Sequence, residues 1–258
     1  MRVLFVGDIV GRAGRKILKE KLGQVCHSND VDFTILNVEN AAGGFGVTRK
    51  IGEEFIRLQV DVMTSGNHIW DNPEAFTYLE NQPLLLRPAN YPPGLPGSGY
   101  CLTTSQTGVP VAVLNLQGRV FMNPLDCPFR AAEKLVEKAR EEARIVILDF
   151  HAEATSEKMA MGWFLDGRVS AVLGTHTHVP TADNRILNKG TGYVTDVGMT
   201  GAYDSVIGMQ VDTALPRFLQ GISRSRFEPA SGNPRFCSVL LDIDQDTGEC
   251  RSIRRIDL

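Results

Sequence analysis

Short apolar runs, several rich in Val and Ile, alternate along the chain with longer stretches in which apolar residues recur every three or four positions. That alternation predicts strands separated by amphipathic helices. Val3-Leu4-Phe5-Val6 reads as a strand over 2–6. Ile17, Leu18, Leu22 and Val25 lie at helical spacing between Gly11 and His27, and Phe33-Thr34-Ile35-Leu36 opens a strand over 33–38. This is a β-α-β unit. After Thr48, the apolar positions Ile51, Phe55, Ile56 and Leu58 form a stripe with Glu53 and Glu54 in its early turns, and the next strand begins at Val60. Asp71-Asn72-Pro73 opens a short helix through Leu79, with proline where a missing N–H matters least. Helix–strand pairs follow at 129–143 with 144–149 and at 155–165 with 168–173.

Residues 81–108 carry Pro83, Pro88, Pro92, Pro93 and Pro96, which predicts a long ordered loop or edge structure without a domain linker. The last third reads differently. Val194-Thr195, Val206-Ile207, Cys237 to Ile243 and Arg251 to Ile256 look like strands joined by turns such as Asp246-Thr247-Gly248, with one helical run near 211–221. A strand-rich tail suggests a second sheet packed on the first. The expected fold is therefore an α/β sandwich of two mixed β-sheets flanked by helices, as a single domain over 1–258.

Five apolar runs end in polar clusters: Asp8, Glu39-Asn40, Asn67-His68, His151, and His176-Thr177-His178. Four of the five histidines lie in them. Ligands of α/β sheets sit outside the carboxyl ends of the strands, so these residues are expected to converge although they are far apart in sequence. The converging set offers oxygen and imidazole without thiolate, which suits borderline or hard first-row metals. His27, at the end of a helix and outside every cluster, reads as a satisfied core residue.

Composition narrows the class. A chain of 258 residues with 43% hydrophobic content can bury a full core. No stretch approaches the roughly 20 apolar residues that cross a bilayer, and Met1 to Asp8 turns polar too early for a signal peptide. Five widely spaced cysteines without a Cys-x-x-Cys pair suit buried reduced thiols and a cytoplasmic setting. The net charge of −3 argues against an extended nucleic-acid surface and leaves room for a short or mononucleotide substrate. Arg224, Arg226, Arg251, Arg254 and Arg255 are interleaved with Glu228, Asp242, Asp244 and Glu249 and read as solvated faces.

Gly7-Asp8, Gly66-Asn67-His68, the isolated His151 and Gly174-Thr175-His176-Thr177-His178 together resemble, in order and spacing, the motif blocks of calcineurin-like metallophosphoesterases over roughly residues 5 to 180. Two positions depart from the common pattern. Val10 stands where many members carry a second metal-binding histidine, and Glu39-Asn40 replaces the usual bridging aspartate. These departures, with Asn37 to Gly44 and Thr195 to Gly201, are similar to the YmdB-like branch over essentially the whole chain.

The resemblance implies an αββα arrangement and two first-row transition metal ions, iron or manganese. Asp8, Glu39, Asn40 and His178 would hold one ion, and Glu39, Asn67, His151 and His176 the other. Glu39 would bridge, and Asn40 would supply the ligand that Val10 cannot. It further implies hydrolysis of small phosphodiesters, 2′,3′-cyclic nucleotides foremost, by attack of a metal-bridging hydroxide with His68 as general acid. In relatives an acid often follows this histidine and orients it. Ile69 follows here, which makes Asp71 the candidate substitute.

Several readings stay open at this stage. Asp149 is either a carboxylate partner that fixes the His151 tautomer or a cap on a neighbouring loop. Gly43-Gly44-Phe45-Gly46 either offers N–H groups to a phosphate or makes a turn. Asp196 and Asp204 support the site or serve turns, and Phe121, Met122 and Phe129 wall a pocket or pack. A phosphomonoesterase acting on a small phosphorylated metabolite and a non-catalytic scaffold that binds a partner remain as alternatives, and so does a homo-oligomer. A scaffold would be expected to have lost ligands, and this set is complete.

Overall fold

The computed structural model describes residues 1–221 and 226–258, so Arg224 lies outside the described residues. One sheet consists of β1 (Arg2–Val6), β2 (Phe33–Asn37), β3 (Val62–Thr64), β12 (Cys237–Ile243) and β13 (Cys250–Asp257), in the order β13-β12-β1-β2-β3. The other consists of β4 (Tyr100–Thr104), β5 (Pro110–Gln117), β6 (Ile145–His151), β7 (Ala171–Thr175), β8 (Arg185–Ile186) and β9 (Gly192–Val194), in the order β4-β5-β6-β7-β9-β8. A two-stranded ribbon pairs β10 (Gly201–Ala202) with β11 (Pro234–Arg235). The helices are α1 (Gly11–Ser28), α2 (Arg49–Arg57), α3 (Glu74–Asn81), α4 (Pro128–Glu142), α5 (Thr155–Leu165) and α6 (Val211–Gln220).

Strand alternation assigns each side chain to a layer. Val3, Phe5, Phe33 and Ile35 point between the sheets, where they meet Val113, Ile145, Ile147 and Leu173. Leu4, Val6 and Leu36 point the other way, onto Leu18 and Leu22 of α1 and Phe55 of α2. On the far side, Leu114, Val146 and Leu148 meet Val136 of α4 and Met161 of α5. Helix, sheet, sheet and helix thus stack in that order. The Thr48 hydroxyl caps α2 by accepting from the Ile51 N–H at 3.3 Å.

The two sheets divide the chain otherwise than the strand-rich tail suggests. The second sheet comes from the middle of the chain, and the tail strands β12 and β13 extend the first, with β12 antiparallel to β1. An apolar run fixes which faces are buried and leaves the pairing partner unspecified. Residues 81–108 do hold edge structure, since β4 is an edge strand of the second sheet. Buried β5 beside it is not among the strands that the hydrophobic pattern predicts. Val206-Ile207 is a tight turn closed by Val206 N–H to the Met209 carbonyl at 2.8 Å, with Ile207 left-handed at φ 46°, in place of the expected strand. His27 is exposed rather than in the core, because the buried stripe of α1 runs through Leu18, Leu22 and Val25 and leaves position 27 facing solvent. All five cysteines are free thiols, and Cys101, Cys237 and Cys250 are buried.

Within each sheet the parallel strands β1, β2, β3 and β5, β6, β7, β9 deliver their carboxyl ends to one edge of the sandwich. Asp8, Glu39, Asn67, His151 and His176 all occur at or within three residues of such an end.

Candidate metal centre

The five sequence clusters meet in space. His151 Nε2 lies 3.2 Å from Glu39 Oε1, 3.1 Å from Asn67 Oδ1 and 3.0 Å from His176 Nδ1. His178 Nε2 lies 3.3 Å from Asn40 Oδ1, and Asp8 Oδ1 is 4.0 Å from the His151 ring. Two sets of ligand atoms, from Glu39, His151 and His176 and from Asp8, Glu39 and His178, each fall within 4.8 Å of one another. Glu39 belongs to both. Asp8, Glu39, Asn40, His151 and His178 are buried, while His176 is half-buried and opens the site to solvent.

These residues fit a cation. Asp8 Oδ1 and Glu39 Oε1 are buried without any hydrogen-bond partner, a costly condition for carboxylate oxygens that a coordinated ion would relieve. Burial pushes Asp8 well above the usual carboxylate range, with Asp196, Glu39 and Asp149 adding to the rise. Burial would also raise Glu39, but attraction to His151 outweighs it and holds the group at about 2. Conversely, burial disfavours a charged His151, yet Glu39, Asp8 and Asp149 lift it to about 9. Burial and repulsion from His151 drive His176 down to about 3, and burial lowers His178. Three buried carboxylates sharing one imidazolium form a site with a strong bias toward added positive charge.

Each histidine is held by the nitrogen that faces away from the cluster. Thr175 Oγ1 gives its proton to Asp149 Oδ1 at 2.7 Å, so it accepts from His151 Nδ1 at 2.9 Å, which leaves Nε2 facing the cluster, where a cation would take its lone pair in place of a proton. Asp149 is thus a partner of His151 through one hydroxyl, and its other oxygen accepts from Asn37 and Thr64. His178 Nδ1 donates to the Ile207 carbonyl at 2.8 Å, and His176 Nε2 meets Glu153 Oε2 at 3.1 Å. His176 at φ 100° and His178 at φ 65° occupy left-handed backbone, and strain of this kind persists only where the surroundings impose it. Thr175→Val removes the hydroxyl link at nearly constant volume. It is expected to weaken metal affinity by about 10- to 100-fold, read by competition with a chelating dye. Unchanged affinity would mean that the link does not set the ring.

A buried ion pair imposes the 175–177 loop. Lys158 Nζ donates to Asp196 Oδ2 at 2.6 Å and to the Thr175 carbonyl at 2.7 Å. Asp196 also accepts from the Thr177 N–H at 3.1 Å, the Thr177 hydroxyl at 2.8 Å and the Gly198 N–H at 2.8 Å. Arg255 is no plain solvated face, since it donates to the Val197 carbonyl at 2.7 Å behind this loop. Breaking one partner of a fully buried pair is strongly destabilising, so Lys158→Met should lower unfolding stability by about 3 to 5 kcal/mol in urea titrations. A loss below about 1 kcal/mol would show that water or rearrangement compensates. Asp204 instead serves a turn, accepting from Asn233 at 3.3 Å.

His68 follows Asn67 in a 3-10 helix over Asn67–Asp71, and its N–H donates to Glu39 Oε2 at 3.1 Å. Its ring Nδ1 meets Asp71 Oδ2 at 2.8 Å, the partner proposed from sequence, and Phe45 stacks edge-on against it at 5.1 Å. Gly66 has no room for a side chain, since a Cβ would run into His151 and Glu39. Gly43, Gly44 and Gly46 are all left-handed, and the Gly44 N–H is taken up by the Asn40 carbonyl, which is turn chemistry. Phe129 packs on Phe164, whereas Phe121 is 89% exposed.

The residues that hold the histidines, namely Thr175, Glu153 and Lys158, were not singled out in the sequence for those roles, and neither was Asn115. Asn115 grips the turn before Gly66, donating to the Ser65 carbonyl at 2.8 Å and accepting from its N–H at 3.1 Å. A signal for it existed, because it closes the apolar run Val111 to Leu114 as the other clusters close theirs.

Known proteins match this chain over nearly their full length. A Bacillus subtilis (strain 168) protein named 2′,3′-cyclic-nucleotide 2′-phosphodiesterase is 49% identical over 256 residues, covering 99% of this chain and 96% of its own. The crystal structure of a hypothetical protein from Thermus thermophilus superposes with a TM-score of 0.93 at 44% identity, covering 100% of this chain and 99% of that one. That of a novel phosphatase from Mycoplasma pneumoniae gives 0.94 at 34%, covering 100% and 93%. The profile of the YmdB-like protein family matches residues 4–256, from within β1 to within β13, and the chain belongs to that family.

Proposed function

We propose that residues 1–258 act as one domain, a metal-dependent phosphodiesterase for small phosphodiesters, with 2′,3′-cyclic nucleotides foremost. The observation that carries this reading is the double membership of Glu39, whose carboxylate joins two ligand sets with unpartnered oxygens. The B. subtilis relative supplies the substrate class. Asp8, Glu39, Asn40 and His178 would hold one ion and Glu39, Asn67, His151 and His176 the other, iron or manganese by their N/O chemistry. When bound, such a pair supplies Lewis acidity at phosphorus and lowers the pKa of water.

The protein's own groups do the rest. Glu39 orients His68 through the His68 N–H, and Asp71 fixes the ring so that Nε2 is left to protonate the departing ribose oxygen. Among the described residues no helix is long and apolar enough to cross a membrane, and the substrate is read as a small molecule. Hydrolysis of 2′,3′-cyclic AMP should exceed that of 3′,5′-cyclic AMP and of AMP by at least about tenfold, a barrier difference of roughly 1.4 kcal/mol. Fastest release of phosphate from AMP would replace this reading with the phosphomonoesterase alternative. Metal analysis of the purified protein identifies the ions.

A further inference from the structure

The chain's −3 charge is unevenly distributed. Between α1 and α2 lie two adjoining hollows of about 440 and 370 Å³ that share Arg15, Lys19 and Glu54 as walls and so form one trough. Arg12, Arg15, Lys16, Lys19, Lys50 and Arg57 line it against a single carboxylate, Glu54. All but Arg15 are exposed. Lys16 pairs with Glu20 at 3.9 Å, and among the described residues the other five cations have no carboxylate within 4.0 Å. The trough follows α2 from Thr48 to Leu58, about 15 Å at 1.5 Å per residue.

Its near end, at Arg12, lies one residue from a contact with the candidate site. Gly11, at the start of α1, donates to the Asn40 carbonyl at 2.9 Å, and Asn40 Oδ1 faces His178. The loop from Asn40 to Thr48 links the two, since Thr48 lines the trough and Phe45 stacks on the His68 imidazole. A 2′,3′-cyclic phosphate occupies one end of a ribose. In an oligonucleotide the rest of the chain leaves through the 5′ oxygen and carries one negative charge per residue away from the reacting phosphorus.

We propose that this trough holds the phosphates of a short oligoribonucleotide whose 2′,3′-cyclic end occupies the metal centre, so that the preferred substrate is an RNA fragment rather than a free cyclic mononucleotide. The proposal rests on the phosphodiesterase reading above. Clustered unpaired cations supply sequence-independent affinity for a polyanion, and the short length of the trough limits it to a tail. Substrates of this class arise where RNA is cleaved by attack of its own 2′-hydroxyl.

The test compares 2′,3′-cyclic AMP with a hexaribonucleotide ending in a 2′,3′-cyclic phosphate. The holoenzymes are wild type, Lys16→Glu/Lys19→Glu/Lys50→Glu, and a control with the same net charge, Arg130→Glu/Lys134→Glu/Lys189→Glu. Wild type should show at least tenfold higher kcat/KM on the hexamer, and the trough variant should lose that advantage while keeping its rate on cyclic AMP within twofold. Binding of a fluorescein-labelled hexamer with a 3′-phosphate end should have a salt slope shallower by about 2 in the trough variant, at roughly 0.7 per phosphate contact. The control should behave as wild type.

Equal kcat/KM on both substrates, or equal hexamer binding by the trough variant and wild type, would overturn the proposal. So would charge-dependent binding to phosphatidylserine vesicles without binding to the hexamer. If wild type leaves cyclic AMP and the cyclic-ended hexamer intact, the phosphodiesterase reading fails, and the binding arm alone decides whether the trough takes RNA.

Discussion

Glu39→Ala is expected to purify without either metal ion. Its carboxylate is the one member common to both ligand sets, so its removal leaves His151 and His176 with Asn67 on one side and Asp8 and His178 with Asn40 on the other. Neither remainder holds more than one carboxylate. The same substitution frees the His68 N–H from Glu39 Oε2, so the proposed proton donor would lose its anchor together with the ions. A metal pair is worth several kcal/mol of charge stabilisation, and at 1.36 kcal/mol per decade the loss is on the order of 10³- to 10⁴-fold in kcat/KM. Metal analysis and turnover of 2′,3′-cyclic AMP measure it. Full occupancy of both sites in Glu39→Ala would remove the bridging role. The metal-free protein should be weakened as well. Without ions, Glu39 and His151 are buried partners, since attraction to His151 outweighs the burial of Glu39 and holds it at about 2, and deleting one partner leaves the other uncompensated. Metal-free Glu39→Ala should therefore unfold at a lower urea concentration than the metal-free wild type.

His68→Ala is expected to keep both metals and lose about 10² to 10⁴ in rate on 2′,3′-cyclic AMP, the usual worth of a positioned acid. The ring joins neither ligand set and is held from behind by Asp71, an arrangement that suits proton delivery. Comparison of leaving groups isolates that role. A ribose oxygen departs poorly without a proton, whereas nitrophenolate departs readily, so bis-p-nitrophenyl phosphate should be much less affected if chemistry limits the rate. Equal losses on the two substrates would assign His68 to positioning the phosphate, and loss of metal would make it a ligand.

What could be read in the sequence was the placement of polar residues at the ends of apolar runs. Asp8, Glu39, Asn67, His151 and His176 carry that signature because a parallel strand must be apolar along its buried length and can change character only where it leaves the sheet. The partners behind them carry none. Thr175 looks like any strand-end threonine, and Lys158 sits within a helix where exposure is the default, yet it is buried against Asp196. Their roles depend on which strands are neighbours, and periodicity says nothing about neighbours. The same limit explains β12 and β13, whose burial pattern would have suited either sheet. Val206-Ile207 misleads for a local reason, since two β-branched residues resemble a strand even where one of them adopts φ 46° to close a turn.

The insertion of β1 between β2 and β12 also sets a timetable for synthesis. β1 and β2 exist once Asn37 has been made, but the strand that closes the other edge of β1 begins only at Cys237, roughly 200 residues later. At about 5 to 20 residues per second, that interval lasts on the order of 10 to 40 s. Throughout it, Val3, Leu4, Phe5 and Val6 present a row of unpaired N–H and C=O groups flanked by apolar side chains, a surface prone to pair with other chains. Contacts this distant in sequence also slow folding. A ribosome that stalls before Cys237 would therefore release a chain with an adhesive edge, and expression at high temperature or high rate should be limited by capture of that edge rather than by the stability of the finished sandwich.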